Sequence, residues 1–304
     1  MKIYLVLIIM SILLEAEMLQ RVQIVMGTFI SIQINKKYHK KIDEGFKIVK
    51  AVDNSLSTFK STSIISMLNK NTIAKLDALS YEALFLSKQY YKDTDGYFNI
   101  AIGKITKDLY RFGGNERLVD EKSLSASHID FLALDFDKAQ AHIPSDMKLD
   151  LGGMGKGFAI DKVSEYFIQE GVDKAIVSAS GDIRCLQRCS IGVQDPFSEG
   201  ILVHFRTLKQ NSGITTSGNY NRYIKDKTHN HLLNPKTKHS QQNFASITLV
   251  GDMKSSALDA YATAVSVMPK DKAYRFLDAL DVAYIVVEVD GKTVLKNSDF
   301  FELE

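Results

Sequence analysis

The stretch Leu149-Asp-Leu-Gly-Gly-Met-Gly-Lys-Gly-Phe-Ala-Ile-Asp161 sets four glycines and a lysine between an apolar, strand-like run and a helix-like one. Glycine lets the main chain approach a ligand closely and adopt positive φ, and a following helix offers unpaired N–H groups and a positive dipole end. An anion is therefore expected to meet the backbone here. The stretch is not a Walker loop, which needs Gly-x-x-x-x-Gly-Lys-Ser/Thr. Gly153-x-Gly155-x-Gly157 also lacks the Rossmann spacing and an acidic residue closing a βαβ unit. Its meaning has to come from the chain on either side.

Downstream, Ile160 to Ile168 reads as a helix closed by Gly171, and Lys174 to Ser180 as a strand ending in Ser180-Gly181-Asp182. Upstream, Ala133 to Phe136 and Ala141 to Ile143 are short apolar strands. Val22 to Asn35 alternates apolar and polar residues around Met26-Gly27-Thr28, a strand pair or one long bulged strand. Helices are expected at Lys37–Ser55, Ser63–Asn69 and Tyr81–Thr94, the last stopped by Asp95-Gly96. Strands follow at Ile201–Phe205, Gly213–Thr216, His231–Leu233 and Ala245–Val250, then helices at Ser255–Met268 and Asp271–Leu280. Val282–Val289 and Thr293–Lys296 form a hairpin across Asp290-Gly291. Strands and helices mix without regular βαβ alternation and without a linker, so the class is α+β in a single domain, residues 17–304.

The chain has 304 residues, 45% hydrophobic and 24% charged, an ordinary globular composition. A net charge of +2 gives no basic face for nucleic acid, so any phosphate binding must come from a site. Residues 1–16 begin with one lysine and about a dozen apolar residues, matching a secretory signal and short for a membrane span. An uncleaved segment would anchor the chain to a membrane. Export would permit a disulfide between Cys185 and Cys189; two unpaired thiols fit the sequence equally well, and no further ligands complete a zinc site.

Three further stretches carry chemistry. Asp259 and Thr263 stand four apart on one helix face, two hard oxygens of the kind Mg²⁺ takes; Ser256-x-x-Asp259 reads more commonly as a capping box. Thr215-Thr-Ser217-Gly218-Asn219-Tyr220 is a donor-rich turn that could wrap a phosphate or simply join strands. His231, before Asn234-Pro235, could be a general base or a structural histidine.

In their order along the chain these segments resemble the ApbE family, the FAD:protein FMN transferases, from about Gln23 onward. The residues that carry the resemblance are Met26-Gly27-Thr28, Leu56-Ser57-Thr58-Phe59 with Ser63 and Asn69, and Asp95-Gly96-Tyr97-Phe98-Asn99. Leu149 to Gly153 with Gly155-Lys156-Gly157, Ser180 to Ile183, Thr216 to Gly218, His231 with Asn234-Pro235, and Asp259-x-x-x-Thr263 continue it. Asn99 and Asn234 stand where aspartate is common, Gly155 where alanine is usual, and Lys238 where a glycine usually follows Pro-x-Thr.

The resemblance implies an ApbE-like, T-fold-like domain of mainly antiparallel sheets with packed helices. It implies Mg²⁺ held by the Gly153 carbonyl, Asp259 and Thr263, against the capping preference. FAD would touch Met26, Phe59, Tyr97, Phe98, Asn99, Asp150, Lys156 and the strand at Ile247, and His231 would be catalytic. The implied reaction passes FMN from FAD to a threonine hydroxyl of a target protein and releases AMP. Expected partners are flavin-accepting subunits of ion-pumping electron-transport complexes, met in the periplasm or at the outer face of the inner membrane. The competing readings are an FAD pyrophosphatase giving FMN and AMP, and an exported flavin-binding protein without catalysis.

Overall fold

The structure, a computed structural model, describes residues 18–296 and 299–304. The expected signal or anchor, residues 1–16, lies outside the described residues. Among the described residues no helix is long and apolar enough to cross a membrane.

The chain enters as a hairpin of β1 (Met18–Val25) and β2 (Thr28–Asn35). Met26 and Gly27 form its two-residue loop with φ of +56° and +71°, the left-handed pair whose twist suits a tight hairpin. The expected strand pair is thus formed, with no bulge. Helix α1 (Lys41–Leu56) follows, then α2 (Ile64–Asn71), capped by the Ser63 hydroxyl, β3 (Ile73–Lys75) and α3 (Ala78–Asp93), capped by Asp77. A π-helical turn at Lys104–Leu109 and the short α4 (Glu121–Ala126) lead to β4 (Asp135–Phe136) and β5 (Gln140–His142). The glycine stretch opens α5 (Gly155–Gln169), which precedes β6 (Ala175–Ala179), β7 (Asp182–Cys185), β8 (Ser190–Gln194), β9 (Ile201–Thr207) and β10 (Ser212–Gly218). The chain ends with β11 (Phe244–Gly251), α6 (Ser255–Val267), α7 (Lys270–Ala279), β12 (Ala283–Glu288), β13 (Thr293–Lys296) and β14 (Phe301–Leu303).

The main sheet runs β1-β2-β6-β7-β10-β11-β12-β13 with every neighbouring pair antiparallel, so the chain is α+β as expected. Period-two alternation gives the sheet two faces. Ile30, Ile32, Ala175 and Val177 meet Phe46 of α1 and Val163 and Phe167 of α5, while α6 packs on β10 and β11. On the opposite face Ile214, Val250, Ala283 and Ile285 are covered by Phe205 and Phe301 of a small sheet, β14-β9-β8.

Three local expectations change. Of the turn expected at Thr215 to Tyr220, residues 215–218 instead lie in β10, paired with β11. The helix expected from Ile160 begins already at Gly155, so Gly155, Lys156 and Gly157 belong to its first turn rather than to a loop. Residues 231–233 are not a strand. The Asn230 side chain bonds the Leu232 N–H and the carbonyls of Lys227 and Gln241, which replaces ladder bonds with a turn.

Candidate active site

The main chain leading into α5 is held from three sides. Asn69 bonds both polar groups of Leu149, Nδ2 to its carbonyl at 2.8 Å and Oδ1 to its N–H at 2.7 Å. The Asp150 N–H bonds the Ile100 carbonyl at 2.7 Å. The Asp150 carboxylate takes the Thr106 hydroxyl at 2.7 Å, the Gly152 N–H at 3.0 Å and Lys107 at 3.3 Å. Burial works to raise its pKa, yet the Lys107 charge and the Thr106 hydroxyl outweigh burial and hold it below the usual range. Thr106 and Lys107 come from the π-helical turn, a distortion often kept at functional sites.

Helices α5 and α6 cap each other. No side chain of the preceding residues caps α5; instead the Asp259 carboxylate, from α6, accepts the Gly157 N–H at 3.3 Å. In return Asp161, on α5, accepts the N–H groups of Ser255 and Ser256 at 2.7 and 2.9 Å. The capping box expected at Ser256-x-x-Asp259 is therefore not formed; Asp259 points to the other helix. The two helices can do this because residue 157 is glycine, where a Cβ would lie 2.3 Å from the Ser255 carbonyl oxygen.

Lys156 sits between two carboxylates, 2.7 Å from Asp182 and 3.3 Å from Asp259. Thr215 donates to the other Asp182 oxygen at 2.8 Å. Burial and the neighbouring Asp182 charge push the Asp259 carboxyl up to about 7, against the pull of Lys156. Burial opposes the charge on Lys156, but its two acids raise its pKa. One turn on from Asp259, Thr263 is the one residue of α6 that is not buried, and its hydroxyl faces the Gly153 carbonyl at 3.4 Å. A Cβ on residue 153 would come within 3.1 Å of the Thr263 side chain, so glycine keeps this space open. Gly153, Asp259 and Thr263 thus present a carbonyl, a carboxylate and a hydroxyl together. No cluster of three His, Cys, Asp or Glu side chains forms among the described residues.

The His231 ring Nδ1 lies 3.1 Å from the Arg222 carbonyl, which can only accept, so Nδ1 carries the proton and Nε2 the lone pair. Burial, then the Arg222 and Lys156 charges, lower its pKa to about 4. The imidazole is neutral at neutral pH.

The other expected contacts divide. Met26, at the hairpin loop, reaches the start of α5, where a Cβ on Gly155 would lie 3.7 Å from its Cε. Phe59 is 63% exposed and carries Lys107 over its ring at 4.1 Å. Phe98 is buried against residue 153, and Asn99 accepts the Ala101 N–H at 2.9 Å while bordering a cavity of about 480 Å³ shared with Tyr91, Lys92 and Pro235. Tyr97 is covered by Lys236 and Lys272 at 4.3 and 4.9 Å. Ile247 is fully enclosed in the middle of β11. Asp182, Thr106, Lys107 and Asp161 received no role from sequence; the one local signal was Asp182, an acid that opens β7 directly after Ser180-Gly181.

A sequence profile of the ApbE family matches residues 26–286. An FAD:protein FMN transferase of Haemophilus influenzae is 26% identical over 295 residues, covering 88% of this chain and 83% of its own. One of Klebsiella pneumoniae is 25% identical over 240 residues, 75% of each chain. The ApbE protein of Thermotoga maritima has the same fold, with a TM-score of 0.84 at 21% identity over 92% of this chain and 97% of its own. The flavin transferase ApbE of Vibrio cholerae superposes with a TM-score of 0.77 at 19% identity over 95% and 96%. The profile runs from the hairpin loop that reaches α5 into β12, across every residue of the Lys156 cluster: the chain belongs to the ApbE family.

Proposed function

We propose that this protein is an FAD:protein FMN transferase that uses Mg²⁺ to pass FMN from FAD to a threonine hydroxyl of a target protein, releasing AMP. The observation that carries the reading is the joining of α5 and α6. It sets Lys156, Asp259, Thr263 and the Gly153 carbonyl together, with a neutral His231 close enough to feel the Lys156 charge. The names of the relatives support it. The three oxygens fit Mg²⁺, which takes few protein ligands, all oxygen, and fills its octahedron with water and phosphate. When bound, Mg²⁺ would neutralise charge on the pyrophosphate.

The chain's own residues supply the rest. Lys156 offers a cation to the pyrophosphate, and Met26 and Phe59 offer apolar surface to the flavin. His231 Nε2 takes the proton of the acceptor threonine as its oxygen attacks the FMN phosphorus. The bond from that phosphorus to the bridging oxygen breaks, and AMP leaves with the bridging oxygen. Phosphoryl transfer of this kind depends mainly on positioning and charge. The acceptors we propose are flavin-carrying subunits of ion-pumping electron-transport complexes on the outer side of the inner membrane. Two observations support that compartment: the apolar run within residues 1–16, and a disulfide between Cys185 and Cys189, a bond that persists in oxidising surroundings.

The test is incubation of the protein with FAD, Mg²⁺ and such a subunit, followed by mass spectrometry. FMN-labelled acceptor with equimolar AMP is the expected outcome. Free FMN and AMP with unlabelled acceptor would replace the transferase by a pyrophosphatase, and unchanged FAD would reduce it to a flavin-binding protein.

A further inference from the structure

Arg222 lies in the loop after β10, and its carbonyl anchors His231 twice, taking the ring Nδ1 at 3.1 Å and the main-chain N–H at 3.3 Å. Its guanidinium carbon stands 5.6 Å from the centre of the Phe112 ring. Gly113 is wedged between Arg222 and Phe59: a Cβ there would fall 3.0 Å from an Arg222 terminal nitrogen and 3.0 Å from the Phe59 ring. The side chain is half-buried in a wall shared with Phe59, Phe112 and His231.

Charge accounting singles it out. Lys107 answers Asp150, and Lys156 answers Asp182 and Asp259. Among the described residues, the Arg222 guanidinium has no carboxylate at ion-pair distance and no hydrogen-bond acceptor. A half-buried guanidinium left without an acceptor is unfavourable, and its planar fork matches phosphate oxygens two at a time. An acceptor that arrives with a ligand resolves both points.

We propose that Arg222 binds a non-bridging phosphate oxygen of FAD beside His231, as a second cation on the pyrophosphate next to Lys156. The proposal rests on the reading of the site as an FAD site. Its own content is the residue, the phosphate and the side: the wall of Phe59 and His231, where the acceptor hydroxyl is activated. A purely structural Arg222, packing its loop on Phe112, would not distinguish flavins that carry phosphate from one that does not.

The experiment compares the affinities of FAD and riboflavin for the protein and for Arg222→Gln and Arg222→Lys, read by flavin fluorescence. Loss of one charge-assisted contact predicts FAD binding weaker by about 10- to 100-fold in Arg222→Gln, riboflavin binding unchanged, and partial recovery of FAD in Arg222→Lys. Equal weakening of both ligands, or no weakening of FAD, overturns the proposal. Arg222→Lys retains the long apolar stem over Phe112, so it judges the proposal even where Arg222→Gln unfolds: FAD affinity lowered with riboflavin affinity unchanged supports it, and joint loss of both ligands or an unchanged FAD affinity refutes it. Acceptor labelling by the unsubstituted protein tests the transferase reading separately, because the FAD-to-riboflavin ratio does not depend on turnover.

Discussion

His231 is held by a carbonyl, a cation and burial, and all three act on one property, the availability of its Nε2 lone pair. With a pKa near 4 instead of 6.5, the imidazole stays neutral through the physiological range. At saturating Mg²⁺, which would hold Asp259 ionised, the acid limb of kcat/KM for FMN transfer should therefore fall near pH 4, and a limb near 6.5 under that condition would remove His231 from the base role. His231→Ala should lower transfer by about 10²- to 10⁴-fold while FAD still binds. The same group links to stability. Its depressed folded-state pKa contributes stability that is present above about pH 6.5 and is lost as pH falls through about 4, because the unfolded chain takes up the proton first. Asp259→Ala should abolish Mg²⁺-dependent labelling, a drop on the order of a thousandfold, and full activity in that variant would end the metal assignment. Residue types and spacing alone did not find this site. Ser256-x-x-Asp259 is a sound local capping pattern, but the acid that caps α6 is Asp161, 94 residues before Ser255, and no window along the chain sees it. The order of the motifs, read as a family resemblance, was what joined Gly153 to Asp259 and Thr263.

At the scale of elements, the site is a property of the crossing of α5 and α6. Each helix lends the other its N-terminal acceptor, so neither end of the crossing can shift without leaving buried N–H groups unpaired. Gly157 permits the approach. Gly157→Ala would place its methyl 2.3 Å from the Ser255 carbonyl oxygen, where backbone rather than a flexible side chain must yield. The expected cost is about 1–3 kcal/mol, as for overpacking, measured by urea unfolding, together with weakened Mg²⁺ and FAD binding. Unchanged stability would mean that the crossing is looser than its contacts indicate. Helix existence was readable from periodicity, since α1, α2, α3, α6 and α7 fall close to the apolar repeats at their positions. The start of α5 was not, because glycines at 155 and 157 read as loop until Asp259 is there to accept an N–H. The segment at residues 231–233 failed as a strand for the related reason that the Asn230 side chain takes the bonds a ladder would use.

Across the whole molecule, the main sheet separates two kinds of work. One face carries the helices and, at β7 and β10, the side chains of Asp182 and Thr215 that position Lys156. The other carries Ile214 and Cys185 beneath the small sheet β14-β9-β8. The α+β class followed from the mixture of elements, whereas the sheet order did not, because β2 pairs with β6 across the whole α1–α5 segment and no local pattern encodes that return. The disulfide between Cys185 and Cys189 settles, in favour of pairing, a choice the sequence left open. It closes a very short loop at the far end of β7, so its constraint on the unfolded chain is modest, about 2 kcal/mol by loop-closure entropy. It also lies among the side chains of the small-sheet face, whereas Asp182, at the other end of the same strand, faces Lys156. Cys185→Ser with Cys189→Ser should therefore unfold at lower urea by about that free energy, and reductant should have no further effect on it. FMN transfer under native conditions should stay within about twofold of the unsubstituted protein, since no residue that touches Lys156, Asp259 or His231 depends on the bond. Loss of transfer without loss of folding would show that the two faces of the sheet are coupled through β7.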